Sequence, residues 1–178
     1  MSKNKTQFVI LSLLRIQPAA GHEIHEFCKT RFSYFWQESY GQIYPNLKSL
    51  TEQKAIKQLP GEKKRGAMYE ITPLGLKKLE AWLEESPTPR IIRDELFLKL
   101  FCGGATTLET HFSHIAEAKQ DAERELKELS IAGKEIAEME GSHPDVQFWR
   151  LILRAGVLSL QARIKWCEEV EKELGAGS

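Results

Sequence analysis

The chain has 178 residues, of which 42% are hydrophobic and 28% charged. That is room for one ordinary domain or two small ones with a packed core, and it excludes a disordered chain. The net charge of zero hides an asymmetry: residues 1–79 carry 13 Lys and Arg against 6 Asp and Glu, net +7, and residues 80–178 carry 12 against 19, net −7. A basic first half joined to an acidic second half suits a chain whose first part meets a polyanion.

The first apolar run, Phe8 to Leu14, is far shorter than the roughly 20 residues a bilayer requires. Arg15 and Gln17 follow at once, so the run reads as a buried first helix, Thr6 to Ile16, and not as a signal peptide. Pro18 and Gly21 break it. A second helix is expected from about Gly21 to Phe32, with Ile24, Phe27 and Cys28 at i, i+3, i+4. The cluster Tyr34-Phe35-Trp36 then wedges the helices together. Ser39-Tyr40-Gly41-Gln42 is a capping box that opens a third helix, whose Ile43, Leu47 and Leu50 face inward. Pro45 removes one hydrogen bond there, and the alternative is a regular helix that starts nearer Pro45. The remaining positions, Tyr40, Gln42, Tyr44, Asn46, Lys48 and Ser49, make an outer surface rich in hydrogen-bond donors and poor in acid.

Ala55 to Leu59 and Ala67 to Thr72 read as two short strands. Between them Pro60, Gly61 and Gly66 mark a turn whose tip is Lys63-Lys64-Arg65. Thr72-Pro73 starts the next helix with a cap and a proline in the first turn, and its inner stripe is Leu76, Leu79, Trp82 and Leu83. Ser86-Pro87-Thr88-Pro89 is a stiff linker. It divides the chain into a first domain, residues 1–86, and a second, residues 87–178.

The second domain reads as helical throughout. A short helix, Ile91 to Phe101, stops at Gly103-Gly104. A second capping box, Thr106-Thr107-Leu108-Glu109, opens a long helix with the seam Leu108, Phe112, Ile115, Ala122, Leu126, Leu129 and Ile136, interrupted by Lys119 and Gly133. Gly141-Ser142-His143-Pro144 turns the chain back. The last helix carries one stripe at Val146, Trp149, Leu153, Gly156, Leu160, Arg163, Cys167, Val170 and Leu174, and another at Phe148, Ile152, Ala155, Ala162 and Trp166. One stripe can pack on the preceding helix; a second protomer is the simplest cover for the other. Leu108, Phe112, Ile115, Trp149, Leu153, Leu160, Cys167 and Val170 are expected to hold this homodimer.

Three helices, a hairpin and a further helix make a winged helix-turn-helix, so the expected fold is mainly α, with a small β-hairpin wing and a C-terminal antiparallel helical dimerisation domain. In that arrangement the third helix enters the major groove of double-stranded DNA. Gln42 and Asn46 then pair with base edges, Tyr44 and Lys48 reach phosphate or base, and Lys63, Lys64 and Arg65 neutralise phosphate. The expected function is a sequence-specific transcriptional regulator, a repressor, on a pseudo-palindromic operator. The alternative is a winged helix used as a protein-interaction module without direct DNA binding. Phe148, Trp149 and Trp166 can line a cavity between protomers for a small aromatic effector.

An enzyme is disfavoured. The histidine pairs His22 with His25 and His111 with His114 have no third ligand nearby in sequence, and no nucleophile elbow or phosphate-binding glycine loop is present. Cys28, Cys102 and Cys167 form no zinc or redox motif. Neither a metal nor another cofactor is expected, and free thiols fit a reducing, cytoplasmic setting.

The strings GHEIHEFCKTRFSYFWQESYGQIYPNLKSLTEQKAI, MYEITPLGLKKLEAWL and RDELFLKLF resemble the PadR family of transcriptional regulators over most of residues 5–101, most specifically in GQIYPNLKSL and YEITPLG. The tail, through QARIKWCEEVEKEL, resembles the helical C-terminal domain of its longer members, including virulence activators. The resemblance implies a homodimer held by C-terminal helices, with repression in most members and activation in some, and control by phenolic acids or drugs in several. The family's third-helix pattern falls on Gly41, Gln42, Tyr44, Pro45, Leu47 and Leu50, and its wing on Gln58 to Tyr69. Lys54 departs from the pattern, standing where many members have glycine, so a different turn into the strand is expected there.

Overall fold

The computed structural model describes residues 5–31, 36, 38–60, 66–89, 91–139, 141 and 143–176. The chain divides into two compact units, Met1–Pro89 and Arg90–Ser178. Among the described residues, no helix is long and apolar enough to cross a membrane.

The first unit is built in the order α1 (Thr6–Ile16), β1 (Ala19–Ala20), α2 (Gly21–Arg31), α3 (Tyr40–Glu52), β2 (Ile56–Gln58), β3 (Met68–Ile71) and α4 (Pro73–Leu83). Its core gathers Ile10, Leu11 and Leu14 of α1, Ile24 and Cys28 of α2, Ile43, Leu47 and Leu50 of α3, Ile56 of β2 and Leu79 of α4. Burial, and then the Glu38 carboxylate, push the Cys28 thiol up to about 11, so this cysteine behaves as a small apolar core residue. The Phe8 ring stacks on Trp82, with centroids 4.5 Å apart and planes 7° off parallel, which fastens α4 to α1. Leu83, expected on the inner stripe of α4, is exposed instead; a residue at the end of the helix has passed beyond the layer it packs on.

The wing hairpin pairs Ile56 with Ile71, Lys57 with Glu70 and Gln58 with Tyr69. A third strand that the sequence did not announce lies on its other side: Ala19 and Ala20 pair with Tyr69 and Met68, giving the order β1-β3-β2. The segment broken by Pro18 and Gly21 thus satisfies its backbone groups in a sheet. The helix α3 starts at Tyr40 and runs through Pro45, so the later start considered above does not occur. Tyr34 and Phe35 lie outside the described residues. Trp36 donates through Nε1 to Glu38, which also accepts from the Thr6 hydroxyl at the start of α1.

The end of α3 explains the lysine that replaces a glycine. Lys54 has φ 56°, alone in the left-handed region among the described non-glycine residues. Lys54 N–H donates to Thr51 O (2.9 Å) and Ala55 N–H to Leu50 O (2.9 Å), the paired bonds of a Schellman cap. The turn expected to differ therefore keeps the glycine conformation, and lysine adopts it at a cost of roughly 1–2 kcal/mol. Lys54→Gly is expected to stabilise the protein by about 1 kcal/mol, read as a rise in the urea midpoint at unchanged m-value; a lower midpoint would contradict this account.

The second unit contains α5 (Glu95–Phe101), a 3-10 turn (Gly103–Ala105), α6 (Leu108–Glu138) and α7 (Val146–Ala176). Residues 91–94, expected to be helical, are not. Asp94 is the cap of α5 instead: its Oδ1 accepts from Leu96 N–H (3.0 Å) and Phe97 N–H (3.3 Å). Its Oδ2 accepts from Arg163 of α7 (2.8 Å), whose guanidinium lies 4.9 Å from the centroids of both Phe97 and Trp166. Thr107 caps α6 by accepting from Thr110 N–H (3.3 Å), one residue later than the box read from the sequence. His111 is fastened to the 3-10 turn, Nε2 to Gly103 O at 2.9 Å.

The helices α6 and α7 pack antiparallel, as three levels show: Phe112 lies near Gly175, Lys119 meets Glu168 and Glu171, and Gly133 meets Leu153. The two interruptions of the seam are thereby explained. Lys119 joins two carboxylates across it, and a Cβ on Gly133 would stand 2.9 Å from Leu153 Cδ2. Ile115 and Ala122 of α6 and Val146, Leu160 and Cys167 of α7 are buried.

Candidate nucleic-acid interface

Helix α3 buries Ile43, Asn46, Leu47 and Leu50, the i, i+3, i+4, i+7 set that shares one helical face. A flank of the helix carries Tyr40, Tyr44 and Lys48 one turn apart, and Gln42 stands on the other flank, all exposed. Tyr40 and Tyr44 keep 49% and 50% of their surfaces open although both are large aromatics. A hydroxyl on a ring that is half packed can meet phosphate or a base edge with little loss of rotamer freedom.

One expected contact needs correction, and two others already hold bonds within the chain. Asn46 is 8% exposed and donates through Nδ2 to Gln42 O at 2.7 Å; it braces the helix at Pro45 from the inside and does not stand on the outer surface. Gln42 is exposed, but its Oε1 accepts from Ser39 N–H (3.2 Å) and the Ser39 hydroxyl (3.1 Å). A paired contact to adenine needs that oxygen and the amide together, so Gln42 makes it only by giving up the cap. Ser49 is half-buried, and its hydroxyl accepts from Gln53 Nε2 at 2.9 Å. The wing tip, with Lys63, Lys64 and Arg65, lies outside the described residues.

Helix α2 supplies a bed for the two tyrosines that sequence reasoning missed. The His25 ring stacks on Tyr40 at 3.8 Å and 17°, and Tyr40 is near-parallel to Tyr44 at 6.1 Å. A Cβ on Gly21 would stand 2.9 Å from Tyr44 Cε1, so that ring rests on bare backbone. The only signal was spacing: Gly21 and His25 lie one turn apart on α2, as Tyr40 and Tyr44 do on α3. Glu23, at the start of α2, accepts from Ala20 N–H at 2.8 Å. Among the described residues, no three His, Cys, Asp or Glu side chains gather as a metal site.

The residues assigned to dimerisation divide. Ile115, Leu160 and Cys167 are buried within the one chain and leave little surface for a partner. Phe112, Trp149, Leu153 and Val170 are half-buried and Leu108 is exposed. The bare face of α7 is the other stripe, with Phe148 54% and Ile152 41% exposed, joined by Leu151 at 64%. The three aromatics proposed for an effector are not brought together within the chain. Trp149 stacks on His143 and Trp166 packs edge-on against Phe97. The two tryptophans stand 17 positions apart on α7, about 25 Å along the axis.

A three-stranded wing beside three helices, with the third presenting tyrosines and lysine outward, defines a winged helix-turn-helix of the kind that docks on nucleic acid. Residues 10–81 match the transcriptional regulator PadR-like family and residues 92–175 the virulence activator alpha C-term family. The chain thus combines a PadR-like domain with a virulence-activator C-terminal domain. The negative transcriptional regulator PadR of Bacillus subtilis is 27% identical over 172 residues, which are 92% of this chain and 94% of that protein. The crystal structure of Bacillus subtilis PadR in complex with operator DNA matches with TM-score 0.81 at 26% identity, over 94% of this chain and 96% of that one. The virulence activator AphA of Vibrio cholerae matches with TM-score 0.71 at 27% identity, over 97% and 99%. Bacillus subtilis PadR has also been solved in complex with p-coumaric acid, a structure that is 24% identical, with TM-score 0.76 over 98% of both chains.

Proposed function

We propose that the chain is a cytoplasmic, sequence-specific repressor that binds a pseudo-palindromic operator as a homodimer. The observation that carries this reading is the uncovered face of α3, where Tyr40, Tyr44 and Lys48 stand together at one-turn spacing. One such helix per protomer enters successive major grooves, about 34 Å apart. The operator-bound relative supports DNA as the partner. Residues 1–86 serve DNA binding and residues 87–178 dimerisation, with the exposed stripe of α7 as the surface that a partner covers. The complex with p-coumaric acid supports a small aromatic effector, which acts by binding one of two states of the dimer more tightly.

The test is fluorescence anisotropy with the DNA upstream of the chain's own gene, against a scrambled duplex, at several salt concentrations. Tighter binding to the upstream duplex is expected, falling steeply with salt. Replacing Lys63, Lys64 and Arg65 together by alanine should weaken both duplexes alike and flatten the salt dependence by about one unit of log–log slope per charge removed. An unchanged slope overturns the role of the wing. No binding at low salt favours a protein-interaction module.

A further inference from the structure

We infer that His25 is a positioning residue for DNA recognition: its ring forms the inner end of a stack that holds Tyr40 and Tyr44 in their DNA-contacting pose. The inference rests on the DNA-binding reading of α3. An exposed tyrosine on a helix ordinarily samples several rotamers, and ordering it on binding costs free energy. Here the ordering is done beforehand. The imidazole lies flat on the inner face of Tyr40, with centroids 3.8 Å apart and planes within 17°. Tyr40 is in turn near-parallel to Tyr44 at 6.1 Å. Tyr44 is held from below by the bare backbone of Gly21, where an added Cβ would stand 2.9 Å from Cε1 and 3.0 Å from Cζ.

A second observation separates His25 from an ordinary filler. Its Nδ1 is sealed from solvent and has no hydrogen-bond partner among the described residues. A polar atom left so is unfavourable, and no hydrogen bond at that atom orients the ring. What orients it is the face it presents to Tyr40. A flat ring is needed at this position, and an aliphatic side chain of similar volume has no face to stack. Because Tyr40 and Tyr44 carry no charge, holding their pose leaves the salt dependence of binding unchanged.

The experiment uses the full chain with the upstream and scrambled duplexes. His25→Leu is expected to weaken binding to the upstream duplex about tenfold, with the salt slope unchanged. His25→Phe, which keeps a flat ring, should restore affinity to within about twofold. In a Tyr40→Ala background, His25→Leu should add nothing further, since its partner is gone. Equal binding by wild type and His25→Leu, an equal loss in His25→Phe, or full additivity with Tyr40→Ala each overturns the positioning role. Should His25→Leu lose its helical circular dichroism, the wild type decides by NMR: Tyr40 ring protons shifted upfield by the imidazole support the stack, and random-coil positions overturn it. A wild type with no preference for its upstream duplex overturns the DNA-binding reading and this role with it. A wild type that has the preference, alongside an unaffected His25→Leu, overturns this role alone.

Discussion

Replacing Gly75 by alanine should lower the unfolding midpoint of the first unit by about 10 °C or more. Intrinsic propensity points the other way, since alanine in a helix is favoured over glycine by about 1 kcal/mol. The structure reverses the sign. A Cβ on Gly75 would stand 2.0 Å from Ala55 O, 3.0 Å from Ala55 C and 2.9 Å from Ile71 Cγ1. The carbonyl cannot recede, because it accepts from Thr72 N–H and lies 3.0 Å from the Thr72 hydroxyl. The N–H of the same residue closes the end of α3 on Leu50 O. Relief therefore means shifting the wing strand, the cap of α3 or the first turn of α4, and the expected cost is about 3 kcal/mol or more. Domains of this size have about 5–15 kcal/mol in all. A melt followed by circular dichroism decides; a midpoint equal to or above wild type shows that the close approach is absent.

The second large effect concerns the bare stripe of α7. Ile152→Glu, or Phe148→Asp, places a charge where a partner helix would bury it, at a cost of several kcal/mol when nothing pairs with it. The protomer itself should be undisturbed, since both side chains are already exposed. Sedimentation velocity is expected to show monomer for the variant and dimer for wild type, with helicity unchanged. Affinity for the operator should fall about a hundredfold or more, because the two half-sites are then bound independently. A variant that remains dimeric would place the interface elsewhere on the second unit.

Helical periodicity made the order of elements in the first unit legible: a helix buried nearly all round, two amphipathic helices, a basic hairpin, and a helix opened by Thr72-Pro73. What it missed followed from its own rules or from features too small for them. β1 is two alanines, which have no pattern to read. Asn46 was set on the outer surface because it is polar, yet it occupies the i+3 place of the stripe that starts at Ile43, and position overrode polarity. On α7 two apolar stripes were visible, and a single sequence does not say which one faces its own chain. The heptad-like stripe lies inward, as buried Cys167 and Leu160 show, and the stripe through Phe148 and Ile152 is the one left exposed. The interface residues on α3 were readable as a set, but the bed beneath them was not: His25 precedes Tyr40 by 15 residues and Gly21 precedes Tyr44 by 23, and only the tertiary fold brings them into contact.

The uncovered stripe of α7 also ties gene control to gene dosage. In the homodimer proposed above, a protomer with Phe148, Leu151 and Ile152 bare exchanges that surface for a partner by mass action. Its DNA-competent form is thus set by how much chain the cell holds. Below the dimer dissociation constant, the concentration of dimer rises with the square of the protomer concentration, so a twofold change in synthesis becomes about a fourfold change in the species that reads the operator. Placed upstream of its own gene, such an operator would turn a shallow change in expression into a threshold.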